Sequence, residues 1–260
     1  MGVRPKKYLG QHFLKDRNIA LRIVNALSLH GEVDKILEIG PGTGILTHSL
    51  VENYGDKLLL IDVDAESITY LKKKYLKLEN SIIHGDFLKM DLESLCDGKV
   101  GIIGNFPYNI SSQIFFKVFE CRDKVIEVVG MVQKEVGERI SAGPGSKTYG
   151  ILSVLLSAFY DIEYLFTVEP DVFHPPPKVR SSVLHLTRNT TDQLDCDERF
   201  FIKIVKLGFQ NRRKTLRNAL KALNLPEKIL KLEILNQRAE QLSVNEYVEL
   251  TQKIISNWKN

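Results

Sequence analysis

Cysteine is scarce in this chain: Cys96, Cys121 and Cys196 are the only three, and they lie far apart. Three separated thiols can supply neither a disulfide framework nor the paired CxxC ligands of a zinc site. Long apolar runs are missing too, since the longest, residues 151–159, is about half of the roughly 18 residues needed to cross a bilayer. We therefore expect a protein of the reducing cytoplasm with no metal site and no membrane span.

A strong net charge is also absent, because 36 lysines and arginines nearly balance 32 aspartates and glutamates, leaving +4. So small an excess is compatible with a nucleic-acid partner, with an acidic small molecule and with no charged partner at all. The 43% hydrophobic and 26% charged fractions are those of a folded globular protein, and 260 residues suffice for one large domain and a smaller one. The basic residues 1–7 have no apolar segment behind them, so we expect no export signal.

Strand and helix patterns alternate from Lys35 onward. The apolar runs KILEIG, KLLLID, SIIHGD and KVGIIGN are separated by stretches with a helical period. Such alternation is typical of an α/β fold with a doubly wound parallel sheet. After Thr187 only helical patterns follow. We predict a ligand-binding sheet domain over residues 1–190 and a small C-terminal all-helical domain over residues 191–260.

A glycine-rich loop, EIGPGTG at 38–44, follows the first strand pattern and precedes a helix. Its glycines let the backbone approach a nucleotide-like ligand, although Ile45 stands where a dinucleotide fingerprint has its third glycine. Asp62 ends the second strand pattern and can accept hydrogen bonds from ribose hydroxyls. Asp86 follows the third strand pattern and can accept a hydrogen bond from the amino group of adenine. The alternative is a tight turn without a ligand, with the two acids in ordinary turns.

The segment Asn105-Phe106-Pro107-Tyr108 follows the fourth strand pattern, so it belongs at the same edge of the sheet. Adenine N6 becomes a useful nucleophile when acceptors draw its two N–H bonds out of the ring plane. The Asn105 side-chain oxygen offers one acceptor, and the Phe106 carbonyl can offer the other. Pro107 favours extended geometry at residue 106, and Tyr108 offers a ring on which a base can stack. The alternative is a turn with a core tyrosine.

Six segments, in order along the chain, resemble the ribosomal RNA adenine N6-dimethyltransferases, most closely the small-subunit branch of that family. They are GQHFL at 10–14, EIGPGTG at 38–44, GDF at 85–87, NFPYNIS at 105–111, FHPPPKV at 173–179 and FQNRRKTLRNAL at 209–220. The resemblance implies a class I methyltransferase (Rossmann-like) fold with S-adenosyl-L-methionine as methyl donor. The residues expected at this cofactor are His12, Leu14, Glu38, Gly40, Gly42, Asp62, Asp86 and Asn105. The family usually has glutamate at the position of Asp62.

For the reacting base, the resemblance implies the catalytic residues Asn105, Phe106, Pro107, Tyr108 and Phe173. Phe173 precedes Pro175–Pro177, a stiff stretch that would hold its ring over the mouth of the pocket. We expect Tyr108 and Phe173 to clamp an adenine that has been taken out of the RNA stack. The alternative is a proline-rich surface loop with a buried phenylalanine.

The segment from Arg199 to Lys221 contains eight basic residues and no acid. A helix of this composition suits sequence-independent contacts with RNA phosphates; the alternative is a merely solvated face. With the match to FQNRRKTLRNAL, the expected RNA-binding residues are Arg212, Arg213, Lys214 and Arg217. A basic arm of Arg4, Lys6 and Lys7 would add to this surface.

By resemblance, the expected substrate is a pair of adjacent adenosines in the 3′-terminal hairpin loop of 16S ribosomal RNA, in the assembling small ribosomal subunit. We expect N6 of each adenosine to be dimethylated by a monomeric enzyme that also has a role in ribosome assembly. One alternative is a large-subunit (23S) methyltransferase of the macrolide-resistance type. Another is an RNA-binding assembly factor without catalysis.

Overall fold

The computed structural model describes residues 3–258. The outermost residues of the two predicted domains, 1–2 and 259–260, lie outside this range. By their internal contacts the residues separate into two units, Met1–Glu138 with Asp161–Arg188, and Arg139–Tyr160 with Asn189–Asn260. We call them the sheet unit and the helical unit.

The secondary structure follows the alternation seen in the sequence. The strands are β1 (Phe13–Leu14), β2 (Lys35–Ile39), β3 (Leu58–Asp62), β4 (Ile82–His84), β5 (Val100–Asn105), β6 (Val125–Gln133), β7 (Tyr160–Val168), β8 (Phe173–His174) and β9 (Ser181–Arg188). The α-helices are α1 (Arg17–Val24), α2 (Ile45–Tyr54), α3 (Ala65–Lys74), α4 (Ser111–Glu120), α5 (Lys134–Ile140), α6 (Ile151–Ser157), α7 (Glu198–Gln210), α8 (Leu216–Ala219), α9 (Glu227–Leu230) and α10 (Val244–Trp258).

Within residues 3–258, a seven-stranded sheet in the order β4-β3-β2-β5-β6-β9-β7 forms the centre of the sheet unit. The strands from β4 to β6 in this order run parallel, while β9 is antiparallel to β6. The side chains of β2 and β5 are buried along nearly their whole length, as expected for strands covered on both faces. The predicted doubly wound α/β fold is confirmed, and its parallel strands bring their carboxyl ends to one edge.

A two-stranded ribbon joins the GQHFL segment to the FHPPPKV segment. In it β1 pairs antiparallel with β8, so that Leu14 lies opposite Phe173. The ribbon is followed by α1, whose first turn is capped by Asp16, a side chain that accepts from the amides of Asn18 and Ile19. Two segments about 160 residues apart in the chain thus become neighbours, which the order of the motifs alone does not reveal.

The helical unit is larger than the predicted domain of residues 191–260, because residues 139–160 belong to it. Tyr149 meets Phe209 of α7 edge to face, with ring centroids 6.1 Å apart. The helix α6 is mostly apolar, and its buried side chains include Leu152, Val154, Leu155 and Leu156. A helix buried over most of its surface needs partners on several sides, and a division of the sequence into consecutive stretches misses partners that lie far along the chain.

Membrane-spanning helices and metal-binding groups are both absent from the part of the chain that the structure describes. Over residues 3–258 no helix has the length and apolar character required to cross a membrane. Over the same residues, no group of three or more His, Cys, Asp or Glu side chains is arranged to hold a metal ion.

Candidate active site

A cavity of about 320 Å³ opens where β2, β3, β4 and β5 end. This volume lies at the small end of the range for ligand pockets, about 300–1,000 Å³. Its lining includes nine predicted residues: His12, Gly40, Gly42, Asp62, Asp86, Asn105, Phe106, Pro107 and Tyr108. The edge of the sheet therefore gathers residues from the GQHFL, EIGPGTG, GDF and NFPYNIS segments into one site.

Leu14 and Glu38 lie beside this cavity rather than in its wall. They border a smaller space of about 20 Å³ that shares Gly40 and Asn105 with the larger cavity. Both side chains are buried, Leu14 being 3% and Glu38 1% exposed. In this arrangement the two side chains support the glycine loop and the end of β5 from behind.

The glycine loop leaves the cavity wall bare of side chains. The backbone is left-handed at two of its glycines that line the cavity, with φ of 68° at Gly40 and 54° at Gly42. A Cβ atom on Gly40 would stand 3.6 Å from Cδ of Pro107, in the gap between the loop and the end of β5. This bare gap fits the close approach of a nucleoside-type cofactor such as S-adenosyl-L-methionine.

Asp62, the last residue of β3, is held in place by two backbone amides. Its Oδ2 accepts from the amide of Gly42 at 3.1 Å, and its Oδ1 accepts from the amide of Asp64 at 2.9 Å. Burial raises the pKa of Asp62, while these two hydrogen bonds act to lower it. Because an ionised carboxylate has about four acceptor positions, two remain for ribose hydroxyls.

Asp64 caps α3 and fastens the N-terminal arm. It accepts from the backbone amide of Glu66 at 3.0 Å, from the ammonium of Lys6, and from the side-chain Nε2 of Gln11 at 3.3 Å. Burial acts to raise the pKa of Asp64, but these donors together hold it below its ordinary value. Lys6 is thus engaged in ion pairs with Asp64 and Glu66, so the predicted basic arm is reduced to its exposed members Arg4 and Lys7.

The loop after β4 carries Asp86 and Leu88 to the cavity. The Asp86 carboxylate accepts from the amide of Leu88 at 3.1 Å, which shapes the loop. Lys117 of α4 then fixes it from behind, since its ammonium donates to the carbonyls of Leu88, at 3.1 Å, and of Met90. The position of Asp86 therefore depends on α4 as well as on its own strand.

The NH₂ group of the Asn105 side-chain amide is engaged in a hydrogen bond. Its Nδ2 donates to the His12 carbonyl at 2.8 Å, which turns Oδ1 the opposite way as an acceptor. The Phe106 amide donates to the Met131 carbonyl at 3.0 Å, and the Phe106 ring is buried against Phe115 with centroids 5.8 Å apart. Only the backbone carbonyl of Phe106 is then suited to a role in the cavity, as the sequence predicts.

Tyr108 is fixed at both ends of its side chain. Its hydroxyl lies 2.5 Å from Oγ of the buried Ser181, and its ring is stacked on the His12 imidazole with centroids 5.2 Å apart. Burial raises the pKa of the Tyr108 phenol. The His12 ring is itself anchored, since Nδ1 lies 2.7 Å from the carbonyl oxygen of Pro175. His12 therefore covers part of one Tyr108 face.

Phe173 does not lie where the sequence predicts. Its ring is 1% exposed, is packed in the hydrophobic core and does not line the cavity. The reason is the alternation of β8: pairing with Leu14 of β1 turns Phe173 inward and leaves the next residue, His174, exposed. The prediction of a clamp between Tyr108 and Phe173 is therefore corrected, and the ring that the structure brings to Tyr108 is His12.

The cavity also contains residues that sequence reasoning left out. Among them Gln11 belongs to the GQHFL segment, so the motif match could have indicated it. Leu88, which lines the cavity, and Lys117, which binds the loop of Leu88 from outside the cavity, carry no such signal, because a leucine after an aspartate and a lysine on an amphipathic helix are both ordinary. Only the packing of α4 on the loop after β4 reveals their part in the site.

Glu38 gives the site a predictable effect of pH on stability. Burial raises its pKa to about 8, the Thr47 hydroxyl donating at 2.7 Å opposes the rise, and the nearby Asp62 adds to it. Because the folded-state pKa exceeds the ordinary value of 4.5, this contribution to stability is complete below about pH 4.5 and is lost as the pH rises through about 8.

Replacing Glu38 by glutamine should remove that pH dependence, because the amide keeps an oxygen for Thr47 but does not titrate. Between about pH 5 and pH 9, the free energy of unfolding of the parent protein should fall relative to that of Glu38→Gln by on the order of 4 kcal/mol, at about 1.4 kcal/mol per pKa unit. Urea unfolding at several pH values measures this. A constant difference across the series would contradict the role given to Glu38.

The predicted RNA-binding residues fall into two pairs. Arg212 donates to the carbonyl of Lys147, and Arg217 donates to the carbonyl of Leu230 and, at 2.9 Å, to Oδ1 of Asn236. Arg213 and Lys214, in contrast, are exposed in the turn after α7. The segment is therefore a helix, a turn and a short helix rather than one basic helix, and RNA contact by these four residues stays a prediction.

The comparisons with known proteins agree with this geometry. A family model described as "Ribosomal RNA adenine dimethylase" matches residues 2–256. The chain is 57% identical over 249 residues to the ribosomal RNA small subunit methyltransferase A of Cytophaga hutchinsonii, covering 96% of both chains, and 54% identical over 253 residues to that of Flavobacterium johnsoniae, covering 97% of this chain and 96% of the relative.

Solved structures share the fold of this chain. The crystal structure of a dimethyladenosine transferase from Plasmodium falciparum superposes with a TM-score of 0.78 at 26% identity, covering 95% of this chain and 98% of that one. The 23S rRNA methyltransferase ErmE superposes with a TM-score of 0.67 at 22% identity, covering 92% and 99%, and shares the fold. With a family model along nearly its whole length and relatives above 50% identity, this chain belongs to the ribosomal RNA adenine dimethylase family.

Proposed function

We propose that this protein transfers methyl groups from S-adenosyl-L-methionine to N6 of two adjacent adenosines in the 3′-terminal hairpin loop of 16S ribosomal RNA. The observation that carries the proposal is the orientation of Asn105, whose Nδ2 is bound to the His12 carbonyl so that Oδ1 is left to accept. Next to it the Phe106 carbonyl offers a second acceptor, and both belong to the lining of one cavity. This is the set of acceptors that a purine amino group requires.

The residues that would hold the cofactor lie around the same cavity. Asp62 has acceptor positions for the ribose hydroxyls, Asp86 can accept from the adenine amino group of the cofactor, and Gly40 leaves room for close approach. When bound, S-adenosyl-L-methionine supplies an electrophilic methyl group on a sulfonium sulfur. Family membership and the bare glycine loop support this assignment.

The chain's own contribution to the reaction is orientation and charge complementarity. Asn105 Oδ1 and the Phe106 carbonyl would accept the two N6 hydrogens of the target, which directs the nitrogen lone pair out of the purine plane. The ring of Tyr108, fixed by Ser181, would set the plane of the base. No strong base is needed before attack, because the amine becomes acidic only once it has gained the methyl group.

The small-subunit substrate is supported by the curated relatives above 50% identity, which are named small subunit methyltransferases. The likeness to ErmE, at 22% identity, supports the shared fold and no particular RNA. The cytoplasm, where small ribosomal subunits are assembled, is the proposed location, and a monomer is the proposed state. The part in subunit assembly belongs to the same proposal.

Mass spectrometry of ribosomal RNA tests the function. Unmethylated small-subunit and large-subunit particles are each incubated with the protein and S-adenosyl-L-methionine. We expect two adjacent N6,N6-dimethyladenosines in the 3′-terminal hairpin of 16S RNA and none in 23S RNA. Methylation of 23S RNA instead would favour the large-subunit alternative, and binding of particles without any methylation would favour a non-catalytic assembly factor.

Binding of the RNA backbone is proposed for an exposed basic face of the helical unit. On α7 it presents Arg199, Lys203 and Lys206, spaced four and three residues apart, and it continues into Arg213 and Lys214. Cations in this arrangement are suited to RNA phosphates, with strong dependence on salt. Arg212 and Arg217 serve the fold of the unit through the carbonyls that they bind.

Replacing Arg213 and Lys214 together by alanine should weaken RNA binding about tenfold and lower the slope of log affinity against log salt by about 1.4–1.8, for two phosphate contacts. Filter binding of small-subunit RNA over a series of salt concentrations measures both quantities. A matched control replaces the exposed Lys73 and Lys77 of the sheet unit, which changes the net charge by the same amount. Equal slopes for the two double variants would contradict a specific role for the turn after α7.

A further inference from the structure

Tyr8 is an aromatic side chain left in water. It is 77% exposed, more than any other large hydrophobic side chain that the structure describes, followed by Leu76 at 73%. Scattered exposed apolar side chains are common, and one of them acquires meaning only from its surroundings. Two features of its surroundings distinguish Tyr8 from Leu76.

The first feature is that the turn carrying Tyr8 is anchored. Residues Lys7–Leu9 form one 3₁₀ turn that ends at Gly10 in a left-handed conformation, φ 65°. On one side of the turn the Lys6 ammonium pairs with the carboxylates of Asp64 and Glu66, the latter at 3.2 Å. The Lys6 amide also donates to the Gln11 side-chain oxygen at 2.8 Å, which closes the turn. The exposed ring is therefore presented by a fixed piece of backbone.

The second feature is the position of that turn at the cavity. The residues that follow Tyr8, namely Leu9, Gly10 and Gln11, all line the cavity that holds Asn105. Tyr8 thus stands one residue from the cavity wall while its own ring faces solvent. Lys7 beside it is exposed as well.

We propose that Tyr8 is a stacking platform for an unpaired base of the RNA substrate, next to the adenosine that enters the cavity. When one nucleotide leaves the stack to reach Asn105, its neighbour loses a stacking partner, and an aromatic ring at the cavity rim can replace it. Every base has a π-face, so this contact needs no particular sequence. The Lys7 ammonium is suited to the adjoining phosphate. This inference rests on the proposed function, which supplies the RNA.

Steady-state kinetics on unmethylated small-subunit particles test the platform. Tyr8→Ala should raise the KM for the particles about tenfold, within the range for loss of one aromatic stacking contact, with kcat and the KM for S-adenosyl-L-methionine within about twofold of the parent protein. Tyr8→Phe, which keeps the ring, should behave as the parent protein does. Leu76→Ala is the matched control for removing an exposed apolar side chain elsewhere, and it should have no effect.

Ultraviolet crosslinking gives a readout that does not require methylation. In complexes with the particles, the peptide containing Tyr8 should carry a ribonucleotide that neighbours the target adenosines, identified by mass spectrometry. If the parent protein bound the particles and crosslinked in this way but methylated nothing, the proposed function would fail while the platform would stand. A KM for Tyr8→Ala equal to that of Leu76→Ala, an equal loss in Tyr8→Phe, or a crosslink of Tyr8 to a ribosomal protein would each overturn the platform.

Discussion

Replacing Asn105 by alanine is expected to lower kcat for methyl transfer by about 100- to 1,000-fold, the usual cost of deleting one preorganised hydrogen-bonding group at a reacting centre. The variant loses the Oδ1 acceptor for adenine N6 and also the donor to the His12 carbonyl. Without the first, the amino group keeps its lone pair in the purine ring. Single-turnover transfer of a labelled methyl group to small-subunit particles measures the change.

Binding measurements separate this role from a general loss of structure. RNA affinity of Asn105→Ala should stay within about threefold of the parent value, because phosphate contacts dominate RNA affinity and Asn105 makes none of them in the proposed complex. The midpoint of urea unfolding reports on the lost Asn105–His12 hydrogen bond, for which about 1 kcal/mol is expected. If kcat and RNA affinity fell by the same factor, the assignment of Asn105 to the target amino group would be wrong.

Replacing Asp62 by asparagine is expected to weaken cofactor binding by about 10- to 100-fold, as for the loss of a charged hydrogen-bond partner worth about 1.5–3 kcal/mol. Both carboxylate oxygens accept backbone N–H groups, from Gly42 and from Asp64. An asparagine amide has one oxygen and one NH₂ group, so in either orientation an N–H would face an N–H. One buried backbone amide would lose its acceptor, at about 1–3 kcal/mol of unfolding free energy.

Calorimetric titration with S-adenosylhomocysteine and urea unfolding measure the two effects of Asp62→Asn. Asp16→Asn is a matched control, because a carboxylate oxygen is likewise exchanged for an NH₂ group at the cap of α1, where asparagine caps a helix nearly as well as aspartate. We expect a smaller loss of stability in this control and cofactor affinity near the parent value. Equal effects of the two substitutions would show that Asp62 matters only as a local turn residue.

The Asp62 environment also bears on the one departure from the family pattern. Family resemblance suggests glutamate at this position, and a longer side chain would carry its carboxylate beyond the amides of Gly42 and Asp64 unless the loop moved. Here the shorter side chain places both oxygens at 2.9–3.1 Å from those amides. The consequence for the ribose cannot be read from the sequence, since it depends on where the glycine loop lies relative to β3.

The parts of the site that sequence reasoning recovered are those that local chemistry dictates. A strand that ends in Asp62 or Asn105 sends that residue to the carboxyl edge of a parallel sheet, whatever the rest of the chain does. Only the match of the GQHFL segment indicates a role for His12, because a lone histidine does not by itself predict a binding site. Phe173 is the clearest difference: the prolines that follow it predict an outward ring, but pairing of β8 with β1 turns the ring into the core.

The two units of the structure have other bounds than the predicted domains for a related reason. Residues 139–160 join the helical unit because most of the α6 side chains are apolar and are buried there. Reading a sequence from one end to the other favours continuous domains, whereas apolar burial depends only on proximity in space. The same holds for Lys6, which a count of charges assigns to a basic arm and which the fold pairs with Asp64 and Glu66.

By itself the sequence determined the doubly wound sheet, the glycine loop and the order of acids and asparagine along the strand ends, because periodicity, glycine and strand termini act over a few residues. Only the tertiary structure decided which ring meets Tyr108, which arginines are committed to carbonyls, and how Lys117 fixes the loop of Asp86. These contacts join residues from 13 to almost 100 positions apart, and their partners are chosen by packing that no local pattern encodes.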